Sequence, residues 1–151
     1  MSGIEVSKAE HPSRESYWRS IILFGRNVAS YKFALAKSLL ELAPEQKTVI
    51  TLDELAEPFS RHLCEHLKKA PKQVTSRSST FLDACTKYNA NEISKEELLS
   101  TTTRMGFNNV IDAFHVVNND EIPVRFYEKD YHGRRKQIIL TDEIYRLQEA
   151  V

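Results

Sequence analysis

Residues that would impose covalent or tight backbone constraints are scarce in this sequence, which has only two cysteines, four glycines and five prolines among 151 residues. Cys64 and Cys85 form no Cys-x-x-Cys pair, so neither a disulfide framework nor a zinc ribbon is predicted, and a reducing intracellular compartment fits best. Few glycines and prolines, together with 41% hydrophobic residues, exclude a low-complexity disordered chain. The composition is that of a helix-rich globular protein.

The chain also lacks an excess of charge of either sign, because 21 basic residues balance 21 acidic residues. This balance excludes a protein whose entire surface coats nucleic acid, so any nucleic-acid contact must come from a local patch. No hydrophobic run approaches the roughly 18 residues of a membrane-spanning helix, and the N-terminus does not match a secretion signal. We therefore predict a soluble cytoplasmic protein without a membrane partner.

The first half of the chain is predicted to be helical. Residues 1–13 mix charge, glycine and proline without a period, and we expect a flexible arm there. Residues 14–75 are expected to form a helical subdomain, whose first part is either two helices or one helix broken near Gly25. The polar run after Pro71 is the best candidate for the boundary with the second half, residues 76–151.

A capping signal marks the next helix of the first half. Thr51 with Glu54 three residues later matches a capping box, in which each side chain accepts a hydrogen bond from the backbone N–H of the other residue. The predicted helix continues to about Lys69 along a stripe of leucine and phenylalanine. Pro58 lies inside this pattern, and we expect it to kink the helix or to start a second segment.

The second half, residues 76–151, is predicted to form a winged-helix-like subdomain. Phe81 lies near the start of a short helix, and Ser94 with Glu97 predicts a further helix that begins with a capping box, runs from about Lys95 to Thr103 and is broken by Gly106. After that glycine, hydrophobic residues recur at the spacing of a helix that buries one face. These residues are Phe107, Val110, Ile111, Phe114 and Val117.

A β-hairpin is predicted to follow, because the hydrophobic period changes to two in 124–128 and in 136–140, around a turn at 131–133. A third short strand is expected at 92–93, and Thr141 should cap a final helix. The predicted fold class is therefore mainly α, with an N-terminal helical half packed on a winged helix-turn-helix-like half that carries a β-hairpin wing.

This arrangement predicts DNA contact, because such folds present one helix to the major groove and a basic wing to the phosphates. The predicted contact residues are Asn108, Asn109 and His115 on the helix that follows Gly106, and Lys129, His132, Arg134, Arg135 and Lys136 on the wing. Asp112 on the same helix would repel phosphates, and a histidine such as His115 is more often buried and bonded to the backbone. A protein-packing module with a solvated basic hairpin therefore stays open as an alternative.

A short metal-ligand pattern occurs in the first half. His62-Leu63-Cys64-Glu65-His66 matches the His-x-x-Glu-His pattern of one class of zinc peptidase, in which two histidines hold the metal and the glutamate activates water. Glu143 is the only candidate for a third ligand. Because so short a match arises by chance in many helices, a polar helix face is the preferred interpretation and a zinc hydrolase is a distant third hypothesis.

Three segments resemble the N-terminal region of a family of bacterial HNH-endonuclease-domain proteins associated with restriction and phage defence. They are YWRSIILFGRNVASYKFALAK at 17–37, GFNNVIDAFHVV at 106–117 and ILTD at 139–142. The resemblance implies a DNA-recognition or positioning region whose partner is double-stranded DNA. It also implies that the catalytic His-Asn-His unit and its divalent metal follow this chain, so that no catalytic residue and no cofactor belong to the residues present. We therefore expect a fragment of a longer protein.

A second class of function remains open beside DNA recognition. The rival hypothesis is a non-enzymatic interaction or dimerisation module of a regulatory winged-helix type, whose partner would be a second copy of the chain. The two hypotheses differ in what the basic hairpin does, because the first requires its cations to meet phosphates and the second leaves them solvated.

Overall fold

The computed structural model describes residues 13–23, 29–45, 47–69 and 80–150. Most of the predicted arm at 1–13, the predicted helix break near Gly25 and the predicted boundary near residue 75 lie outside the described residues. In the described part the protein is mainly helical, with a small antiparallel sheet of three strands. This agrees with the predicted fold class at the level of secondary-structure content.

Helices dominate the order of elements along the chain. The described α-helices are α1 (Arg14–Leu23), α2 (Ala29–Leu42), α3 (Leu52–Lys69), α4 (Thr80–Asn89), α5 (Lys95–Thr101), α6 (Val110–Ala113) and α7 (Asp142–Ala150). A 3₁₀ turn, Ala43–Glu45, follows α2, and a π-helical turn, Thr102–Gly106, continues α5. The described strands are β1 (Val49–Thr51), β2 (Val116–Val117), β3 (Asp120–Glu121), β4 (Tyr127–Asp130) and β5 (Gln137–Leu140).

The predicted helix starts at Thr51 and Ser94 are confirmed. The backbone N–H of Glu54 donates to Thr51 Oγ1 at 3.1 Å, and the backbone N–H of Thr51 donates to Glu54 Oε1 at 3.0 Å, so the capping box that opens α3 is complete. The backbone N–H of Glu97 donates to Ser94 Oγ at 3.1 Å and caps α5. Asn91 follows α4 with a φ of 62°, the left-handed conformation that commonly ends a helix.

Pro58 lies inside α3 without interrupting it, so the expectation that it starts a second segment is wrong. A proline in a helix interior removes one backbone hydrogen bond and costs about 3 kcal/mol. Helix α3 offsets this cost by burying a long apolar face. The buried hydrophobic residues of that face are Leu52, Leu55, Ala56, Phe59, Leu63, Cys64 and Leu67, with Pro58 itself among them.

The sheet has the strand order β1-β5-β4, and neighbouring strands are antiparallel. Strand β1 is the third strand and pairs Ile50 with Ile138, so the expectation of a third strand at 92–93 is wrong. Those two residues follow α4 instead, where the backbone N–H of Glu92 donates to the carbonyl oxygen of Lys87 at 2.8 Å. Because β1 precedes α3 and β5 lies near the end of the chain, the sheet joins the two halves.

The second helix of the predicted helix-turn-helix is much shorter than expected. Only Val110–Ala113 is α-helical, and Val116–Val117 forms a short strand paired with Asp120–Glu121. Asn118 and Asn119 connect these strands with φ values of 52° and 72°, because a type I′ turn needs positive φ at both positions and asparagine tolerates it. The prediction of a long reading helix is therefore wrong. Most of its hydrophobic residues are nevertheless buried, namely Phe107, Val110, Ile111 and Phe114.

Both halves of the chain contribute to one hydrophobic core. The ring of Trp18 on α1 meets the rings of Phe126 and Phe114 edge-on, with centroid distances of 4.9 Å and 5.7 Å. Lys32 on α2 is buried, and its Nζ donates to the carbonyl oxygen of Val116 at 2.7 Å. Helices of the first half are thereby fixed against the segment that leads into the β4–β5 hairpin.

Candidate functional site

A cleft opens where the β4–β5 hairpin, the start of α3 and the π-helical turn meet. Its volume is about 310 Å³. The residues that line it are Leu52, Asp53, Thr103, Arg104, Arg134, Arg135 and Lys136. Three of the predicted wing cations, Arg134, Arg135 and Lys136, therefore lie together at one concave site, which we call the cationic cleft.

Backbone and helix contacts hold the walls of the cationic cleft. The backbone N–H of Leu52 donates to the carbonyl oxygen of Lys136 at 3.0 Å and joins the first residue of α3 to the end of the hairpin turn. Just before Thr103 and Arg104, Leu98 and Thr102 are buried, and Thr102 Oγ1 donates to the carbonyl oxygen of Leu98 at 2.7 Å. Arg104 is thus an exposed side chain on a packed backbone.

The arginines of the cationic cleft are exposed and unpaired. Within the described part of the chain, Arg104, Arg134 and Arg135 take part in no ion pair and no side-chain hydrogen bond. Seven other lysines and arginines are paired, in Arg14–Glu143, Lys47–Glu54, Arg61–Glu41, Arg61–Glu57, Lys68–Glu65, Lys95–Glu57, Arg125–Glu121, Arg125–Glu128 and Lys129–Asp112. Asp53 is the acidic residue that lines the cleft. Because a bound anion relieves the repulsion among clustered guanidinium groups, this arrangement favours an anionic ligand.

The two lysines of the hairpin differ in their partners. Lys129 Nζ lies 2.9 Å from Asp112 Oδ1 and 4.7 Å from the centroid of the Tyr131 ring. Lys136 Nζ lies 5.2 Å from the same centroid, so both ammonium groups make cation–π contacts with one tyrosine. Asp112 is therefore neutralised by Lys129. Of the two lysines, only Lys136 lines the cationic cleft.

The hairpin turn is held by the carboxylate of Asp130. It accepts hydrogen bonds from Gln137 Nε2 at 2.8 Å and from the backbone N–H of His132 at 3.3 Å. Both bonds lower the pKa of Asp130 because they stabilise the ionised carboxylate, and the bond from Gln137 has the larger effect. His132 is exposed and lies close to Arg134 in sequence, but it does not line the cleft.

His115 is buried and cannot reach DNA in this structure, which removes it from the predicted contact residues. Only 1% of the residue is exposed, and its Nε2 accepts a hydrogen bond from the backbone N–H of Phe126 at 2.9 Å. Because a neutral imidazole carries one proton, this bond places the proton on Nδ1, which has no partner in the described part of the chain. Burial, with smaller contributions from Arg125 and Lys32, lowers the pKa of His115 to about 3. The alternative of a buried histidine bonded to the backbone is confirmed.

Asn108 and Asn109 lie on the turn before α6, and both are exposed. They border a separate small pocket of about 110 Å³ whose other lining residues are Tyr31, Thr80, Phe81, Met105 and Gly106. The two asparagines therefore do not line the cationic cleft. They are exposed enough to reach a base edge, but from a turn and not from a long helix.

The histidines of the zinc-like pattern have other partners. His62 Nε2 lies 3.0 Å from Glu41 Oε1, and the same carboxylate pairs with Arg61. The ring of His66 lies 6.0 Å from the ring of Phe33. Across the described residues, no group of three or more histidine, cysteine, aspartate or glutamate side chains could hold a metal ion. The contacts of His62 and His66 fit the preferred interpretation of a polar helix face.

Sequence reasoning missed two charged residues of the cationic cleft, Arg104 and Asp53. Arg104 lies thirty positions before Arg134, and Asp53 lies in the first turn of α3. A single exposed arginine or aspartate on a helix carries no spacing signal. The pairing of β1 with β5 brings Asp53 to the hairpin, and the packing of the π-helical turn against α3 brings Arg104 there. Neither contact is visible in local sequence.

Two further findings bear on the kind of protein this is. None of the helices in the described ranges has the length and apolarity needed to cross a membrane. A scan against protein-family models gives no match, and neither a search of curated proteins nor a search of solved structures finds a significant match.

Proposed function

We propose that this chain binds double-stranded DNA through the cationic cleft and serves as the recognition and positioning region of a bacterial HNH-type endonuclease. The observation that carries DNA binding is the convergence of three unpaired arginines on one exposed cleft. The endonuclease assignment rests on the sequence resemblance. Cleavage, and the divalent metal it needs, would belong to an HNH unit outside this chain, and the residues present would supply binding alone.

The cleft suits phosphate because guanidinium groups present several N–H donors in a plane and stay charged at any physiological pH. Each phosphate that a cation neutralises releases condensed counterions, which makes binding favourable and dependent on salt. Neutral net charge is compatible with this proposal, since Arg104, Arg134, Arg135 and Lys136 lie together at one cleft.

We further propose that the β4–β5 hairpin acts as the wing of a winged-helix-type arrangement. In its support, α4, α5 and α6 precede the hairpin in the order such folds require, and the hairpin carries Arg134, Arg135 and Lys136. Because α6 is short, its insertion into the major groove contributes little to the contact. Phosphate contact by the hairpin is then the main source of affinity, and Asn108 and Asn109 supply any base contact from their turn.

Exposed hydrophobic side chains favour the rival function, a protein-interaction or dimerisation module. Phe33 and Leu40 lie two turns apart on α2, so they share a helix face, and each is 36% exposed. Size-exclusion chromatography with light scattering discriminates between the two functions. A dimer that dissociates in a Phe33→Ala/Leu40→Ala variant, together with absence of DNA binding, would favour the interaction module.

The direct test of the proposed function is a titration of labelled duplex DNA at several salt concentrations. We expect binding that weakens as salt rises. The triple variant Arg134→Ala/Arg135→Ala/Lys136→Ala should flatten the slope of log affinity against log salt by up to about three units, since each phosphate contact contributes roughly 0.9. Absence of binding at low salt, or an unchanged slope in the triple variant, would contradict the proposal.

A further inference from the structure

The position of Arg104 points to a more specific ligand than duplex backbone in general. Arg104 is on the π-helical turn and faces the same cleft as Arg134 and Arg135 of the hairpin, so the cations stand on two different walls. We propose that the cationic cleft binds the terminal phosphate monoester at the end of a DNA strand, with Arg104 as a phosphate-binding residue. This inference rests on the proposed function and deepens it.

The concave shape of the site favours a terminal phosphate. A phosphate within a strand is flanked by sugars on both sides and presents two free oxygens to a protein. A terminal phosphate has three free oxygens and no continuing strand on one side. Cations on both the π-helical turn and the hairpin can therefore surround it.

The amount of charge in the cleft also favours a phosphate monoester. The cationic cleft is lined by three arginines and one lysine, and after subtraction of Asp53 a surplus of three positive charges remains. A phosphodiester carries one negative charge, whereas a phosphate monoester carries about −1.5 to −2 at neutral pH. The monoester matches the charge of the cleft better.

The surface beside the cleft carries fewer cations than the cleft itself. A second depression, lined by Asp53, Leu99, Ser100, Thr103 and Arg104, adjoins it and shares three of its residues. Its additional lining residues are a leucine and a serine, so cations are concentrated on the hairpin side. Asp53 lines both depressions, and the second one adds the hydroxyl of Ser100 to that of Thr103, which suits the terminal sugar.

The test compares one duplex in two forms, with a 5′-phosphate and with a 5′-hydroxyl, by fluorescence anisotropy at low salt. We expect the phosphorylated duplex to bind about ten- to one hundredfold more tightly, the range expected for hydrogen bonds to charged groups. Arg104→Ala should remove most of this preference. Arg104→Lys keeps the charge and should retain part of this preference. Circular dichroism of the variants shows whether the fold survives. Arg146→Ala, at an exposed arginine on α7, is the matched control and should leave the preference intact.

Several outcomes would overturn the inference. Equal binding of the two duplexes overturns the inference. The proposed function still stands in that case, provided that the affinity of the triple variant Arg134→Ala/Arg135→Ala/Lys136→Ala depends less on salt than that of the parent protein. An equal loss of the preference in Arg104→Ala and Arg146→Ala overturns it as well, because the effect would then be one of net charge. Failure of either duplex to bind at low salt removes the proposed function itself. Competition by millimolar inorganic phosphate that abolishes the preference supports the inference.

Discussion

The backbone N–H of Leu52 donates a hydrogen bond of 3.0 Å to the carbonyl oxygen of Lys136. This bond continues the pairing of β1 with β5 beyond the last strand residues and fixes the start of α3 against the end of the hairpin turn. Asp53 and Arg135, the chain neighbours of the two bonded residues, consequently face one cleft. The cleft therefore depends on a contact between segments that are far apart in sequence.

The burial of His115 predicts sensitivity of the fold to acid. The pKa of His115 is lowered from 6.5 to about 3 in the folded protein, so the unfolded chain takes up a proton at this residue at higher pH than the folded one. Stability is therefore lost as pH falls from 6.5 towards 3. Between pH 7 and pH 5 we expect His115 to reduce the free energy of unfolding by about 2 kcal/mol.

Urea denaturation at both pH values checks this expectation. His115→Gln keeps an acceptor for the Phe126 N–H but cannot take up a proton, so its stability should fall less between pH 7 and pH 5 than that of the parent protein. The difference between the two proteins isolates this histidine from the carboxylates that titrate in the same range. An identical fall in both proteins would show that His115 is not buried in its neutral form.

Close packing at Gly106 predicts a second effect on stability. A Cβ atom at this position would lie 3.2 Å from Cζ of the buried Phe81 ring, which is stacked at 5.8 Å on the ring of Phe59. The ring has little room to move, so Gly106→Ala should lower the free energy of unfolding by about 1 kcal/mol or more, because overpacking outweighs the gain in helix propensity.

Gly133→Ala is the matched control for that substitution, because a Cβ at Gly133 meets no atom within 4 Å. We expect it to change stability by less than about 0.5 kcal/mol. Thermal or chemical denaturation of the two variants in parallel measures both effects. Equal stability of the two variants would mean that Phe81 yields to the added methyl group.

Helix starts could be predicted from sequence because they depend on residues three positions apart. Thr51 and Glu54 make both bonds of the predicted capping box, and Ser94 Oγ accepts the bond from the backbone N–H of Glu97. Ile138 and Leu140 of the predicted hairpin are buried, as an alternation of hydrophobic residues requires. Information of this kind is local, and it does not depend on how distant segments meet.

The remaining features depend on distant contacts or on residues with two interpretations. The hydrophobic residues from Phe107 to Phe114 have helical spacing and are buried. The segment nevertheless forms a loop followed by one turn of α-helix, because Asn118 and Asn119 reverse the chain just beyond it. Arg104 reaches the cleft only through the packing of its turn against α3. The concave arrangement of the cleft could therefore not be read from the sequence.

Asn108 and Asn109 give a prediction about sequence discrimination. If these exposed amides contact bases, Asn108→Ala and Asn109→Ala should each reduce discrimination between DNA sequences by roughly 1–3 kcal/mol. The salt dependence should stay unchanged, since neither side chain neutralises a phosphate. Competition between unrelated duplexes measures this. Unchanged discrimination in both variants would exclude the turn before α6 from base contact.

We expect the cations of the cationic cleft, and not exposed cations elsewhere on the protein, to bind phosphate. Two triple variants with the same net charge test it most directly. One is Arg134→Ala/Arg135→Ala/Lys136→Ala in the cleft, and the other is Arg19→Ala/Lys87→Ala/Arg146→Ala on the exposed faces of α1, α4 and α7.

The measurement is the slope of log affinity against log salt for one duplex bound to each variant and to the parent protein. The cleft variant should lose up to about three units of slope, at roughly 0.9 per phosphate, and most of its affinity at low salt. The control variant should stay within about one unit of the parent protein. Equal losses in the two variants would contradict a phosphate site at the cleft.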